Sequence, residues 1–243
     1  MHRHLRLIGA AALTVIGASG LTACGAWAGT VLKDDTVVSQ KITSVRLDTG
    51  SGGLKLHGDK NVTKVSVHRE VTYRGDRPEG ATQHVDDGVL VLGGCGRDCS
   101  VTYTVDLPAG VPVTGKTSAG AVSLSQVGAV HVTTSSGRIE LDGVTGTVDV
   151  RTSNGEITGR GLTGGRIQAQ TTNGAIALTP ATPQDVRAQT TNGSIALTMP
   201  SGRYQVSAKS GLGHKDINIP HDPAGPHRLD LTTGNGGITA KSA

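Results

Sequence analysis

Apolar and polar residues alternate with a period of two along most of this chain, and the alternation recurs at fixed offsets. Residues 130–141, 167–178 and 186–197 follow one pattern: an alternating run, a Thr, two small polar residues, a Gly and a second alternating run. Alternation of this kind predicts short half-buried strands. Its repetition predicts a stack of similar supersecondary units.

The glycine of each repeat keeps a strict spacing. From Gly120 to Gly211 the steps are 17, 18, 19, 19 and 18 residues. Asn-Gly accepts positive φ at low cost, so phrases such as Thr-Thr-Asn-Gly indicate tight corners between strands. A phosphate-binding loop is disfavoured, because no Lys-Ser/Thr follows and no helix is predicted after any of them. The predicted corner residues are Gly52, Gly120, Gly137, Gly155, Gly174, Gly193, Gly211 and Gly236.

Two strands and two corners in 17–19 residues correspond to one rung of a β-solenoid. A meander of hairpins is the alternative, but its strands recur at a shorter spacing of about 8–12 residues. The chain has no Phe, which suits a narrow interior between close strands. We therefore predict an all-β, single-domain β-solenoid of about eight short rungs, roughly 40 Å long. Two stacked interior columns are expected: Val130, Val148, Ile167 and Val186, and Ile139, Ile157, Ile176 and Ile195.

The predicted solenoid domain covers residues 42–243. Residues 57–112 interrupt the period with longer strands and a hairpin turn at Asp86-Asp87-Gly88, which indicates an N-terminal β cap over the open edge of the stack. Near the other end, the sequence between Gly211 and Ile217 indicates a four-residue insertion. The last predicted rung follows it.

The N-terminus indicates export. Arg3 and Arg6 precede an apolar run that is too short to span a bilayer. The run ends in Leu21-Thr22-Ala23-Cys24-Gly25, which resembles the bacterial lipobox. That resemblance implies a signal peptide at residues 1–23, lipidation of Cys24, a tether at residues 24–41 and location on the extracytoplasmic face of the cell membrane. An ordinary secretory signal with a chance cysteine is the alternative.

Export determines how Cys95 and Cys99 are interpreted. An even pair of cysteines in an oxidising compartment predicts a local disulfide. A zinc site is the weaker alternative, because Cys-x3-Cys lacks a second pair of ligands. The spacing does not fit a CxxC redox centre.

Charge is nearly balanced once the signal peptide is removed, with 21 basic and 19 acidic residues. No Lys/Arg cluster indicates a nucleic-acid partner. Three histidines and two aspartates near the C-terminus could ligate a metal, but they lie in a Pro- and Gly-rich stretch, and a solvated loop is the favoured explanation. These are His214, His221, His227, Asp216 and Asp222. No metal or cofactor is expected.

A set of charged residues lies on neighbouring predicted rungs and could form the outward active site of a carbohydrate-cleaving solenoid. Arg138 and Glu156 each follow a corner glycine, however, so stacking would make them a cross-rung ion pair. The set comprises Arg138, Glu140, Asp142, Asp149, Arg151 and Glu156.

The later rungs present an uncharged outward surface that could dock an extended polymer or another β-rich protein. Plain solvation explains it equally. Its residues are Gln168, Gln170, Thr172, Ala175, Ala177, Gln189, Thr191, Ser194 and Ala196.

Residues 101–111, Val-Thr-Tyr-Thr-Val-Asp-Leu-Pro-Ala-Gly-Val, are followed by serial Thr-Ser-Asn-Gly-x-Ile phrases. Together they resemble the β-strand-repeat "putative adhesin" family of domains of unknown function, common in actinobacterial lipoproteins. The resemblance covers roughly residues 42–240 and implies no active-site residues. It favours a non-catalytic surface module whose partners are the membrane, through Cys24, and cell-wall glycan or another envelope protein. A divergent solenoid enzyme acting on carbohydrate remains the alternative.

Overall fold

The structure of the protein is a computed structural model that describes residues 29–243. Within this range the chain is entirely β and contains no helix that could cross a membrane. The strands are β1 (Thr30–Val38), β2 (Ser44–Ser51), β3 (Leu54–Asp59), β4 (Val65–Tyr73), β5 (Gln83–Asp86), β6 (Val89–Gly93), β7 (Cys99–Pro108), β8 (Val113–Ala119), β9 (Val122–Ser125), β10 (Val130–Ser136), β11 (Ile139–Asp142), β12 (Val148–Asn154), β13 (Ile157–Leu162), β14 (Arg166–Asn173), β15 (Ile176–Pro180), β16 (Asp185–Asn192), β17 (Ile195–Met199), β18 (Tyr204–Leu212), β19 (Lys215–Asn218), β20 (His227–Asn235) and β21 (Ile238–Ser242).

These strands form two sheets. Sheet 1 has eleven strands in the order β1-β4-β7-β3-β9-β11-β13-β15-β17-β21-β19, and sheet 2 has ten in the order β18-β20-β16-β14-β12-β10-β8-β2-β6-β5. Each rung places one strand in sheet 2 and the next in sheet 1, as β10 and β11 do. Equivalent strands of neighbouring rungs pair in parallel. The predicted β-solenoid is confirmed.

The interior consists of stacked columns of aliphatic side chains. Both predicted columns are confirmed, since Val148 pairs in register with Val130 and Ile157 with Ile139, and the same register continues through the later rungs. A third column lies where the chain returns from sheet 1 to sheet 2, and it was not predicted. Its members are buried and comprise Val111, Val127, Val144 and Leu162.

Two tyrosines at the ends of the stack depart from the expected small, aliphatic interior. Tyr103 in β7 and Tyr204 in β18 are fully buried. The Tyr103 hydroxyl donates to Thr82 Oγ1 at 2.6 Å, and that of Tyr204 donates to the Pro200 carbonyl at 2.7 Å. Burial raises the pKa of both phenols. The rings are accommodated because each hydroxyl has a partner.

The corners repeat one set of contacts. Thr171 Oγ1 donates to the carbonyl oxygen of Gly155, one rung earlier, at 3.0 Å, and Thr190 does the same to Gly174 at 2.9 Å. A Cβ on a corner glycine would overlap the backbone of the neighbouring rung, so the stack requires glycine there. This holds for Gly52, Gly120, Gly137, Gly155, Gly174, Gly193 and Gly236.

Gly211 is not a corner, contrary to the prediction. It lies inside β18, and its neighbour in the stack is Gly234. Gly213 takes the corner position, because Leu212 pairs with Asn235 and a Cβ on Gly213 would overlap the carbonyl oxygen of Gly236. The predicted four-residue insertion is therefore absent. Lys215 occupies the position that Ile238 holds in the adjoining rung. Because a lysine stands where the repeat has an apolar residue, the sequence pattern did not show that this rung is regular.

The stack has nine rungs, not eight, and their spatial order differs from the chain order at both ends. The β6/β7 rung lies outside the β2/β3 rung. At the other end, the β20/β21 rung lies between β16/β17 and β18/β19. The ninth rung is β6/β7, in the segment that was predicted to be entirely cap.

The N-terminal cap consists of antiparallel strands. β1 and β4 extend sheet 1, and β5 extends sheet 2. Asp87 and Gly88 form the two-residue turn between β5 and β6, both with positive φ, as in type I′ hairpins. Residues 30–38 were predicted to be part of a tether but form β1, which pairs with β4 along its whole length.

Candidate functional site

A shallow trough crosses the outward face of sheet 1. Its volume is about 520 Å³, and it spans β9, β11, β13 and β15 on four successive rungs. We use the name trough for the surface formed by Ser123, Ser125, Glu140, Asp142, Thr158, Arg160, Ala177 and Thr179.

The charged groups of the trough are held as ion pairs between and within rungs. Arg138 Nη1 lies 3.1 Å from Glu140 Oε1, and its Nε lies 3.8 Å from Glu156 Oε2. The expected cross-rung pair of Arg138 with Glu156 is confirmed. Arg160 Nη2 donates to Asp142 Oδ2 at 2.9 Å, again across one rung.

The Asp142–Arg160 pair controls the electrostatics of the site. The hydrogen bond from Arg160 is the main cause that lowers the pKa of Asp142, and the same bond raises the pKa of Arg160. The Arg160 side chain remains 75% exposed, so its other N–H groups face solvent and can donate to a ligand. Asp142 is thus a stable carboxylate acceptor beside an accessible guanidinium.

The sequence grouped six charged residues, but the fold divides them between two surfaces. Asp149 and Arg151 lie in β12 of sheet 2, where Arg151 Nη2 is 3.4 Å from Asp149 Oδ2 and His131 Nδ1 is 3.2 Å from the same oxygen. The remaining four lie in or beside the trough. The charges therefore do not converge on one centre.

A serine–histidine contact extends the row of trough residues towards the cap. His57 Nδ1 lies 2.9 Å from Ser125 Oγ, and Asp106 is the strand neighbour of His57 on its other side. These residues are far apart in sequence, and only their common offset from a corner could have indicated the contact. The next amide, Gln126 N–H, donates to the Asp142 carbonyl at 2.8 Å, so it is not available to stabilise an oxyanion.

The outward polar residues also divide between the sheets. Gln170 and Gln189 are neighbours in sheet 2, and Ala177 and Ala196 are neighbours in sheet 1. Arg187 lies on the same face of sheet 2, next to Gln168, so that face is less neutral than the sequence indicated.

A ladder of asparagine side chains runs along the corner between the two sheets. Asn173 Nδ2 donates to Asn154 Oδ1, Asn192 to Asn173 and Asn235 to Asn192, at 2.9, 2.9 and 2.7 Å. The exchanged order of the last rungs places Asn235 next to Asn192. The ladder satisfies polar groups of the protein itself and therefore stabilises the stack.

The C-terminal histidines do not come together. His221 Nδ1 accepts from the Val206 amide at 3.0 Å, and His227 Nδ1 lies 3.8 Å from Asp185 Oδ1. His214, Asp216 and Asp222 take separate positions, with Asp222 bound to Arg203 at 2.6 Å. Within residues 29–243, no group of three or more His, Cys, Asp or Glu side chains could hold a metal ion.

Cys95 and Cys99 form a disulfide, with Cα atoms 5.9 Å apart. It closes the connection between β6 and β7, which is the corner of the one rung that lacks the repeat glycine. The lipidation site predicted at Cys24 lies outside the described residues.

The sequence matches the Toastrack DUF4097 family over residues 105–238. The chain belongs to this family. The matched segment contains the trough and eight rungs of the stack in whole or in part. No curated protein matches the sequence.

Three solved structures are similar to this Toastrack chain. A putative adhesin from Bacteroides fragilis is 16% identical with a TM-score of 0.49, and 88% of this chain and 97% of that one are covered. A putative adhesin from Parabacteroides merdae is 15% identical, with a TM-score of 0.47 and the same coverage. A putative cell adhesion protein from Clostridium sporogenes is 13% identical, with a TM-score of 0.41 and coverage of 88% and 100%.

Proposed function

We propose that this protein is a non-catalytic, lipid-anchored module on the extracytoplasmic face of the cell membrane, and that its trough docks an extended, hydroxyl-rich polymer such as cell-wall glycan. The supporting observation is the regular placement of polar groups on four successive rungs. Hydroxyls of Ser123, Ser125, Thr158 and Thr179 lie on the same surface as the carboxylates and the guanidinium of the trough. An extended ligand could contact polar groups on each rung, with neighbouring rungs about 4.8 Å apart.

The expected binding is weak at each contact. Tyr103 and Tyr204 are buried, and the trough contains no aromatic side chain on which a sugar ring could stack. Its polar groups would exchange hydrogen bonds with water for hydrogen bonds with the ligand, which gives a small net gain for each. Affinity would come from several simultaneous contacts along one polymer.

The electrostatics favour binding over catalysis. A general acid for glycoside cleavage needs a raised carboxyl pKa, whereas the Arg160 hydrogen bond lowers the pKa of Asp142. Glu140 is paired with Arg138. The Ser125–His57 contact has no oxyanion donor at the following amide, because Gln126 N–H is already bonded to Asp142.

Lipidation at Cys24 would hold the cap end of the rod against the bilayer. Thr30, where β1 begins, is the sixth residue after Cys24, so a fully extended chain would separate the two Cα atoms by at most about 22 Å. In sheet 1, β7 and β3 lie between the cap strand β4 and β9, where the trough begins.

The binding proposal can be tested with purified cell-wall polymer. The full chain should sediment with the polymer, and Arg160→Ala should weaken binding several-fold because it removes the most accessible donor of the trough. Gln170→Ala, on the outward face of sheet 2, is the matched control and should bind like the wild type. Equal binding by both variants would contradict the trough as the site.

The same preparation tests the enzyme alternative. We expect no release of soluble fragments from the polymer. Fragment release that is lost in Glu140→Gln or Glu156→Gln would replace the binding proposal with a catalytic one.

The anchor is tested separately. Cys24→Ala should transfer the protein from the membrane fraction to the medium or leave an uncleaved precursor, because no acyl chain can then be attached. Unchanged partitioning into the detergent phase would contradict lipidation at this residue.

A further inference from the structure

β1 is a long edge strand with little protection against pairing. Its nine residues pair without a bulge from Thr30 opposite Tyr73 to Val38 opposite Val65, and among residues 29–243 its only strand neighbour is β4. Long regular edges of this kind are templates for another strand. The other edges of the described chain are less open: β5 and β19 have four residues each, and His221 covers the start of β18.

The two faces of β1 have different roles. Leu32 and Val38 pack against the core, and Asp34 accepts from Arg69 Nε at 3.0 Å and also from Arg69 Nη2. This face fixes the strand to its own protein. The opposite face carries Val31, Lys33, Asp35 and Val37.

The outward valines of β1 are unusually exposed. Val31 is 48% exposed and Val37 is 63% exposed, and the described residues contain just one other large hydrophobic residue of this class, Leu212. Two β-branched apolar side chains on an edge strand favour contact with a second strand.

We propose that the edge of β1 binds the β1 strand of a second copy of this chain, antiparallel and centred on Asp34. The sequence Thr-Val-Leu-Lys-Asp-Asp-Thr-Val-Val is nearly self-complementary in that register. Val31 lies opposite the partner's Val37, and Lys33 lies opposite the partner's Asp35. By the two-fold symmetry each pair occurs twice.

The charges select this register over its neighbours. A shift that keeps the same faces together would place Lys33 opposite the partner's Lys33, or Asp35 opposite the partner's Asp35. Each of these registers has one pair of like charges at its axis, which in the proposed register is Asp34 with the partner's Asp34. The shifted registers, however, lose both Lys33–Asp35 attractions and place a valine opposite a charged residue. A shift by one residue would bring the core-facing side chains opposite the solvent-facing ones.

Contacts within each copy extend the charge pattern over four strands. Lys33 Nζ lies 2.9 Å from Glu70 Oε2, and Asp35 Oδ1 lies 2.7 Å from His68 Nδ1. The row in the dimer would therefore be Glu70, Lys33, the partner's Asp35 and the partner's His68. The two Asp34 carboxylates meet at the symmetry axis, where each is bound by the Arg69 of its own copy.

This pairing would join the two rods cap to cap, with sheet 1 continuous across the junction. One strand pair is a small interface, so we expect weak association in solution. Attachment of both copies to one membrane would raise their effective concentration. The pairing does not depend on the proposed polymer binding or on lipidation.

Charge reversal tests the register directly. All proteins are full chains that also carry Cys24→Ala, which removes a free thiol and any lipid, and their association is measured by sedimentation equilibrium. Lys33→Asp makes both outward charges acidic, and Asp35→Lys makes both basic. Each variant alone should dimerise about tenfold more weakly than the parent protein, because two attractive pairs become repulsive. An equimolar mixture should form heterodimers, because every acidic position then faces a basic one.

The mixture also controls for folding, because misfolded variants would not rescue each other. A parent protein that stays monomeric at millimolar concentration would overturn the proposal, as would variants that dimerise like the parent or a mixture without heterodimers.

In an independent test, Val31→Cys and Val37→Cys proteins should form a mixed disulfide on oxidation. Val37→Cys with Leu212→Cys is the control and should form much less. Equal yields from the two mixtures would also overturn the proposal.

Discussion

The backbone of Gly174 lies directly against the carbonyl oxygen of Gly155 in the neighbouring rung, and no space remains for a side chain at position 174. The Gly174 amide N–H donates to the Asn192 carbonyl oxygen at 2.9 Å. The corner glycine is therefore required by the spacing between rungs.

Gly174→Ala should lower the free energy of unfolding by about 3 kcal/mol, because the added methyl group must separate two rungs or distort their corner. Gly50→Ala is the matched control. It adds a methyl group where no atom lies within 4 Å and should change stability by less than about 1 kcal/mol. Urea denaturation measures both. Equal destabilisation would show that rung contact is not the cause.

The buried threonines before the corners provide a second matched pair. Thr171 Oγ1 donates to Gly155, whereas Thr134 Oγ1 is buried without a hydrogen-bond partner among the described residues. Thr171→Val should destabilise the fold by about 1 kcal/mol. Thr134→Val keeps the shape and removes a polar atom without a partner, so it should be neutral or stabilising. Thermal unfolding should show a lower melting temperature for Thr171→Val and an unchanged or higher one for Thr134→Val, and equal losses would contradict this.

The asparagine ladder predicts a dependence on position. Asn173 makes two ladder hydrogen bonds and Asn235 makes one. Asn173→Ala should therefore cost about 1 kcal/mol of unfolding free energy and Asn235→Ala about half as much, allowing for the exposure of both side chains. Denaturant midpoints give the comparison. A larger loss of unfolding free energy for Asn235→Ala than for Asn173→Ala would mean that the number of ladder hydrogen bonds does not determine the size of the effect.

Lys215 should prevent the C-terminal end of the rod from associating. It stacks on Ile238 at the outermost rung, beside the half-buried Ile217 and near Leu212, which is 72% exposed. Lys215→Ile would make this end continuously apolar, and we expect larger oligomers in light scattering after size exclusion. Lys209→Ile removes the same charge from the outward face of β18 and should add much less association. Identical oligomerisation of the two variants would show that the association results from the lost charge and not from the new apolar residue at the end of the stack.

The central rungs were predictable from sequence because each inward column has one residue type at one spacing. Ile139, Ile157, Ile176 and Ile195 fixed the register before the structure was known, and the ion pair of Arg138 with Glu156 followed from it. Strict repetition leaves a single way to stack such units.

The ends were not predictable for the opposite reason. Val45 in β2 could stack on Leu90 or on Val113, and the structure pairs it with both, so alternation alone gives no spatial order. The β6/β7 rung lacks the corner glycine, and Lys215 interrupts the isoleucine column. Charged residues in β1 made a paired strand resemble a tether. The trough was missed because it is formed by residues of four rungs that are 17–19 residues apart in sequence.

The exchanged order of the last rungs constrains how the molecule can be assembled. β18 and β19 are made before β20 and β21, yet they stack outside them. A chain emerging from a ribosome or a translocon cannot add rungs in strict succession at this end. Residues 204–218 must either stay unpaired until residues 227–242 are made, or pair first with β16 and β17 and later separate from them. A chain truncated before residue 227 would leave β16 and β17 open to pairing with a non-native strand, and proteases could use that exposed state to distinguish incomplete molecules from complete ones.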